Sequence, residues 1–197
     1  MLEVELKSVV DDTAVRRAAI ERAGGVLVFE GRLEDRRYDF DDRSLTMRDH
    51  VLRVRIYRDE HSARAQLDWK GPTRRAEGYK LREEIEARVS DADALVAILE
   101  RLGFRVTIEI DRDIAQYELH GAMVRFEHYP RMDDLVEVEG TPEQIERAIA
   151  ALGLPREGFS TDRLPDFALR YRERTGVPAA LSFLVLAGDA AYDDSNA

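Results

Sequence analysis

The chain contains no cysteine, which excludes disulfides, zinc–thiolate centres and thiol nucleophiles. It has four histidines, His50, His61, His120 and His128, and none stands at metal-ligand spacing from another. They are expected on the surface or in hydrogen-bonded turns. No Gly-x-x-x-x-Gly-Lys-[Ser/Thr] loop, Gly-x-Gly-x-x-Gly turn or nucleophile elbow is present, so phosphates are not cradled by those loops. The longest apolar run, Val177–Gly188, falls short of the roughly 20 residues a membrane span needs. No basic segment followed by an apolar run opens the sequence, which predicts no signal peptide and a cytoplasmic protein. Positive charge is in deficit: 30 Lys and Arg stand against 40 Asp and Glu, a formal net charge of −10. That balance argues against nucleic acid or an anionic membrane as the main partner. With one tryptophan, aromatic stacking platforms are scarce; Trp69 and the tyrosines are expected as core or lumen-rim packing.

What is abundant is charge laid out in alternation. Of 197 residues, 36% are charged and 44% hydrophobic, enough to bury the core of a single domain. Glu3, Glu5 and Lys7 share one face of a predicted strand, with Leu2, Val4 and Leu6 on the other. The pattern recurs at Arg53/Arg55, Asp68/Lys70, Arg82/Glu84/Glu86, Arg125/Glu127 and Glu137/Glu139. A half-buried antiparallel sheet with one wet face would look the same at any single strand. The charges are segregated by strand, however, whereas a surface shaped for solubility mixes signs. If the sheet closes with its charged face inward, acids and bases sit together at short range, which is costly unless a ligand occupies the interior. Paired carboxylates suit Mg²⁺ or Mn²⁺, and arginine forks suit phosphate oxygens. A metal–polyphosphate ligand satisfies both.

The punctuation marks ten strand segments, which suggests eight or nine strands in one sheet, with three or four helices. Strands are expected at Glu3–Lys7, Val26–Glu30, Arg36–Phe40, Val51–Tyr57, Ala63–Lys70, Lys80–Val89, Phe104–Ile110, Ile114–Leu119, Met123–Tyr129 and Leu135–Glu139. Three times a Glu-x-Glu strand leads into a capped helix that ends on glycine. The first helix is capped by Asp11, Asp12 or Thr13 and closes on Gly24-Gly25. The second has a capping box of Ser90 and Asp93 and ends at Gly103. The third has Thr141 and Gln144 with Pro142 at its first position, and ends at Gly153. A short basic helix is expected over Asp166–Thr175. Val177–Gly188 reads as a helix closing a tunnel mouth or packing on a partner, and Asp189–Ala197 as a disordered tail. One domain over 1–176, with a core of about 1–153 and an extension over 177–197, is the expected organisation. Its class is α+β, an antiparallel barrel or strongly curved sheet with helices outside.

In this order the motifs resemble the CYTH superfamily, the triphosphate tunnel metalloenzymes. Glu3-x-Glu5-x-Lys7 is similar to its Glu-x-Glu-x-Lys signature, and Leu52-Arg53-Val54-Arg55 to its Leu-Arg-x-Arg strand. Lys70-Gly71-Pro72, Arg82-Glu83-Glu84-Ile85-Glu86, Arg112 and Glu137-Val138-Glu139-Gly140 follow in sequence. The resemblance implies a closed eight-stranded antiparallel β-barrel that holds a triphosphate and Mg²⁺ or Mn²⁺. Glu3, Glu5, Glu127, Glu137 and Glu139 would ligate metal. Lys7, Arg53, Arg55, Lys70, Arg82, Arg112 and Arg125 would grip phosphates, with Lys7, Arg82 and Glu84 nearest the chemistry. Glu84 and Glu86 would line the tunnel, hold a second metal or fix the bases.

The implied reaction is that of a class IV adenylyl cyclase, ATP to cyclic AMP and pyrophosphate. A tripolyphosphatase, a nucleoside or thiamine triphosphatase, and a non-catalytic triphosphate sensor are the alternatives. Homodimerisation is plausible from the resemblance alone. Three departures stand out. Glu127 occupies a position where the family often has Asp, Ile110 one where it tends to have Lys, and Pro130–Asp134 replaces the Gly-Leu-Gly turn of the cyclases.

Overall fold

A computed structural model describes residues 2–189. Nine strands are present: β1 (Leu2–Val9), β2 (Val26–Asp39), β3 (Val51–Arg58), β4 (Ala63–Lys70), β5 (Arg74–Ala76), β6 (Tyr79–Val89), β7 (Arg105–Leu119), β8 (Ala122–His128) and β9 (Leu135–Glu139). Five helices accompany them: α1 (Thr13–Arg22), α2 (Ala92–Arg101), α3 (Pro142–Leu152), α4 (Leu164–Thr175) and α5 (Phe183–Ala187). The strands run β1-β9-β8-β7-β2-β3-β4-β6, and β1 pairs with β6 to close the ring. Every pairing is antiparallel, and short β5 lies along β6 outside the ring. The fold is the α+β, closed eight-stranded antiparallel barrel that the motif order implies.

The helices cover the apolar outer faces. Ile20 of α1 and Ile145, Ala148, Ile149 and Leu152 of α3 pack on Leu6, Val124, Val136 and Val138 of the barrel wall. Leu95, Val96 and Leu99 of α2 cover Tyr38, Leu52 and Val54. Helix α4 differs: its Phe167 and Ala168 pack on Ile108, Ile110 and Leu135, which share the inward parity of Arg112 and Glu137. With their apolar sides facing outward, β1, β3, β8 and β9 turn their charged sides inward. The three Glu-x-Glu strands β1, β6 and β9 do run directly into helices. Thr141 and Gln144 form the expected capping box of α3, and Asp12 caps α1 by accepting from the Val15 N–H at 3.0 Å.

The structure corrects four expectations. Val26–Glu30 and Arg36–Phe40 belong to one strand, β2. Phe104–Ile110 and Ile114–Leu119 likewise belong to one strand, β7, its partner over most of that length. The stretch between Glu30 and Arg36 looks loop-like because Gly31, Arg32, Glu34 and Asp35 leave Leu33 as its one apolar residue. In the barrel both faces are polar there: Asp35 is buried in the lumen, while Glu34 pairs outside with Arg32 and Arg58, and Arg36 with Glu109. Gly31 is required mid-strand, since a Cβ there would lie 2.2 Å from the Arg58 carbonyl oxygen and the backbone has φ +156°. The cap of α2 is Asp91, whose carboxylate accepts from the Ala94 N–H at 2.9 Å, not Ser90 with Asp93; the helix begins one residue later than the motif suggests.

The fourth correction concerns Val177–Gly188. Only Phe183–Ala187 is helical. The preceding Ala179–Ser182 is extended and buried. Ala180 bridges Arg131, and the Leu181 carbonyl accepts from the Asp111 N–H at 2.8 Å. The pairing of β8 with β7 begins only at Asp113, which leaves the other half of β7 with a bare edge. This segment covers part of it, pairing at Asp111. Of the expected disordered tail, all but Asp189 lies outside the described residues.

Candidate active site in the barrel lumen

An eight-stranded barrel has an interior just wide enough for its inward side chains, and here those side chains are almost all ionised. The lumen surrounds about 560 Å³ of solvent-connected space lined by Glu5, Lys7, Arg53, Arg55, Lys70, Arg82, Arg112, Glu127 and Glu137. Glu3, Glu84 and Arg125 join through ion pairs to Lys70 (2.5 and 3.2 Å) and Glu137 (2.9 Å). Glu139 lies opposite Glu5 in the β1–β9 register, on the same inward face. Twelve lumen residues expected from sequence are thus gathered with Glu139 in one chamber. Glu86 is not among them; it is exposed at the rim beside Gln66.

The pairs fall into two layers. In one, arginines are held by aspartates. The Asp35 carboxylate lies 3.0 Å from Arg55, 3.0 Å from Arg112 and 3.9 Å from Arg53. Asp68, fully buried, takes Arg53 at 2.9 Å and Arg55 at 3.5 Å. Arg112 also bonds Glu127 at 2.9 Å, and the Tyr129 hydroxyl donates to Glu127 at 2.7 Å. Burial raises these carboxyls, but the guanidinium charges win. Arg112, Arg55 and Arg53 hold Asp35 well below its ordinary range, and Arg112 with Lys7 brings Glu127 to about 2. Farther along the same inner faces, Leu33, Tyr57 and Ile114 form a dry apolar layer backed by Phe29.

In the other layer, lysines are held by glutamates. Lys70 reaches both oxygens of Glu3 at 2.5 and 2.6 Å. Lys7 bonds Glu137 and lies 3.7 Å from Glu5, and Lys80 bonds Glu5. Acids crowd each other here. Burial and then Glu3 push the carboxyl of Glu139 upward against the pull of Arg125 and Lys70; burial, opposed by Lys70, does the same to Glu84. Burial likewise lowers the ammonium of Lys7 to about 8 despite Glu5 and Glu127. Mutually repelling carboxylates in a half-dry site are a set of hard oxygen donors that a divalent cation would relieve.

Asp68, Glu84 and Glu86 form a second acidic group, with one oxygen from each within 4.8 Å of the others. There the Asp68 oxygens are already taken by Arg53 and Gln66. Arg82 stands apart: its guanidinium donates to the carbonyls of Gly71 and Asp49, both at 2.7 Å. The Lys-Gly-Pro turn and the loop before β3 therefore pin it in place.

Sequence reasoning missed Asp35, Arg37, Lys80 and Tyr129 in the lumen. Asp35 is hidden in a run where every position is charged, so alternation carries no signal. Lys80 stands two residues ahead of Arg82 with the same strand parity, which was the available clue. Tyr129 lies just past β8, where parity no longer applies. Beyond Lys80 and Arg82 the chamber opens into a mouth that shares Arg37, Val51, Lys80 and Arg82 with it and adds His50, Thr107, Ile108, Arg163 and Pro165. Ile110, where a lysine is expected in similar chains, is buried among Ile108, Leu135 and Phe167 and brings no charge.

No helix among the described residues is long and apolar enough to cross a membrane. No curated protein matches the chain. Solved structures do. PH1819 from Pyrococcus horikoshii OT3 superposes with a TM-score of 0.71 at 23% identity, covering 85% of this chain and 98% of its own. A candidate adenylate cyclase from Vibrio parahaemolyticus gives 0.73 at 17%, covering 85% and 97%. HpAC1 from Hippeastrum, a candidate adenylyl cyclase described as having a dominant triphosphatase activity, gives 0.58 at 15%, covering 100% and 99%. At these identities the likeness is one of fold. The CYTH domain model, in contrast, matches residues 1–150, so the chain belongs to the CYTH family of metal-dependent triphosphate tunnel enzymes.

Proposed function

We propose that the lumen binds a nucleoside triphosphate with Mg²⁺ or Mn²⁺ and turns it over as a class IV adenylyl cyclase does, releasing pyrophosphate as a cyclic nucleotide forms. The observation that carries this reading is the two-layered lumen: crowded glutamates beside arginines held by Asp35 and Asp68. Glu3, Glu5 and Glu139 would hold the metal, with Glu137 and Glu127 reachable. When bound, the cation supplies charge neutralisation at phosphoryl oxygens. Arg53, Arg55 and Arg112 are already oriented by Asp35 and Asp68, so they can meet phosphate charge without reorganising. Lys7, Lys70 and Arg125 flank them. Arg82, pinned by two carbonyls, is placed to stabilise a leaving phosphate, and Glu84 holds Lys70 and Arg53 at 3.2 and 3.3 Å. The mouth, where Val51, Leu52, Ile108 and Pro165 stand among Asp49, His50, Thr107 and Arg163, offers the organic part of the substrate apolar and polar contacts that inorganic tripolyphosphate would not use.

Hydrolysis of the terminal phosphate is the second reading. It is favoured by the uncharged Ile110, by the altered turn at Pro130–Asp134, and by the fold shared with a protein of dominant triphosphatase activity. Incubation with ATP and either cation, with products resolved by chromatography, separates the two. Cyclic AMP with pyrophosphate is expected; orthophosphate alone assigns hydrolysis, and tight binding without turnover assigns a sensor.

A further inference from the structure

Most lumen cations have at least two acceptors. Arg53 touches three carboxylates, Arg55 and Arg112 two each, and Arg82 touches two carbonyls. Lys70 touches Glu3 and Glu84, and Lys7 touches Glu137 and Glu5. Lys80 differs: among the described residues its ion pair is to Glu5 alone. Glu5 is also the carboxylate that two lysines share. The Lys80 side chain is only 11% exposed, and it lines both the chamber and the mouth. Its strand position is held from both sides, facing Glu5 of β1 and Arg75 of β5, while its four-carbon stem remains flexible.

We infer that Lys80 is an exchangeable positioning cation: it competes with the metal for Glu5 and, once displaced, takes a phosphate oxygen of the entering triphosphate at the mouth. This rests on the triphosphate–metal reading above. A cation arriving at Glu5 leaves Lys80 as a nearly buried ammonium with no acceptor, which is unfavourable. Lys7 and Lys70 keep their second acceptors and do not face that choice. The mouth side of Lys80 is where a phosphate entering the chamber passes. Lys80 thus weakens metal binding on its own and strengthens binding of the metal–triphosphate, so that the two ligands favour one another.

The test measures Mn²⁺ binding alone, by electron paramagnetic resonance of the free ion, and tripolyphosphate binding at saturating Mn²⁺, by calorimetry. Wild type is titrated first. In Lys80→Met, Mn²⁺ alone is expected to bind several-fold tighter, and tripolyphosphate roughly tenfold weaker or more, the loss of one charge-assisted hydrogen bond. Lys80→Gln, which keeps a donor and most of the stem, should move both constants in the same directions by less, and serves if the methionine variant fails to fold. Opposite movements support the inference. Parallel weakening, or no change in either constant, overturns it while leaving the tunnel reading intact. A wild-type protein that binds neither ligand overturns the tunnel reading, and with it the role of Lys80.

Discussion

The most exacting consequence of the structure concerns Asp35, which no motif marks. Asp35→Asn removes one charge and little volume from a carboxylate that touches Arg53, Arg55 and Arg112. Each contact carries a gross attraction of several kcal/mol at the effective dielectric of such sites, about 4 kcal/mol at 4 Å. Most of that is offset by desolvation. The net cost of removing one partner from a buried ionic cluster is about 3–5 kcal/mol. At roughly 2–4 °C per kcal/mol for a chain of this size, melting should fall by about 6–20 °C. A polyanion replaces the missing charge, so tripolyphosphate should raise the variant's melting temperature by more than it raises that of the wild type. Mass action alone gives both proteins the same gain at equal saturation; only the excess in the variant reports electrostatic replacement. Differential scanning fluorimetry across a tripolyphosphate series reads both quantities. A variant within 1 °C of wild type, or one whose shift with tripolyphosphate is no larger, would refute the view that Asp35 holds the arginine layer together.

Three further outcomes follow from the same contacts. Because Asp35 is held below its ordinary value of 3.8 by the arginines, its contribution is complete above that value and is lost as the pH falls toward the depressed one. The stability gap between wild type and Asp35→Asn in urea melts should therefore be constant from pH 5 to 8 and narrow below about pH 4; a gap that widens in acid contradicts the assignment. Leu181→Ala, in the segment covering part of the bare edge of β7, should cost about 2–5 kcal/mol as a core cavity does, checked by chemical denaturation, whereas a peripheral appendage would lose under 0.5 kcal/mol. Tyr129→Phe removes one hydrogen bond to Glu127 and should cost about 1 kcal/mol, with the Glu127 carboxyl, followed by carbon-detected NMR titration, moving upward from its depressed value; an unmoved carboxyl would show that the hydroxyl contributes nothing there.

How much of this was legible in the sequence depends on whether alternation survived. It survived in the middle of β1, β3, β6, β8 and β9, where charged and apolar residues largely alternate, and those strands surrendered their boundaries to within two residues and the inward face. In the middle of β2 four consecutive charges erase the period, because that strand is wet on both sides. The same stretch hid its length and concealed Asp35. The partner β7 was split for a related reason, since Asp111, Arg112 and Asp113 read as a break. Caps were legible where the box was complete, as at Thr141 and Gln144, and missed by one residue where Ser90 and Asp91 offered competing oxygens. The segment Ala179–Ser182 could not be read, because covering a bare strand edge leaves a tertiary demand but no local pattern.

The two layers of the lumen also differ in what a ligand must displace, and this bears on how the tunnel could work. In the arginine layer the acids Asp35 and Asp68 are spoken for by the fold, buried to 3% and 0% exposure, and neither is needed elsewhere. Their arginines are held in place before any phosphate arrives, and a phosphate adds acceptors without breaking pairs. In the lysine layer the acids are the candidate metal donors, so a cation competes for them with Lys70, Lys7 and Lys80, and Lys80 is the one with no second carboxylate. Preorganisation at one end and exchange at the other divide the cost of binding unevenly. Phosphate recognition should be enthalpically favourable with little rearrangement, whereas metal affinity is set by competition with three ammonium groups. A bound phosphate offers those displaced lysines new acceptors, so the weak step and the strong step become linked, with each ligand making room for the other.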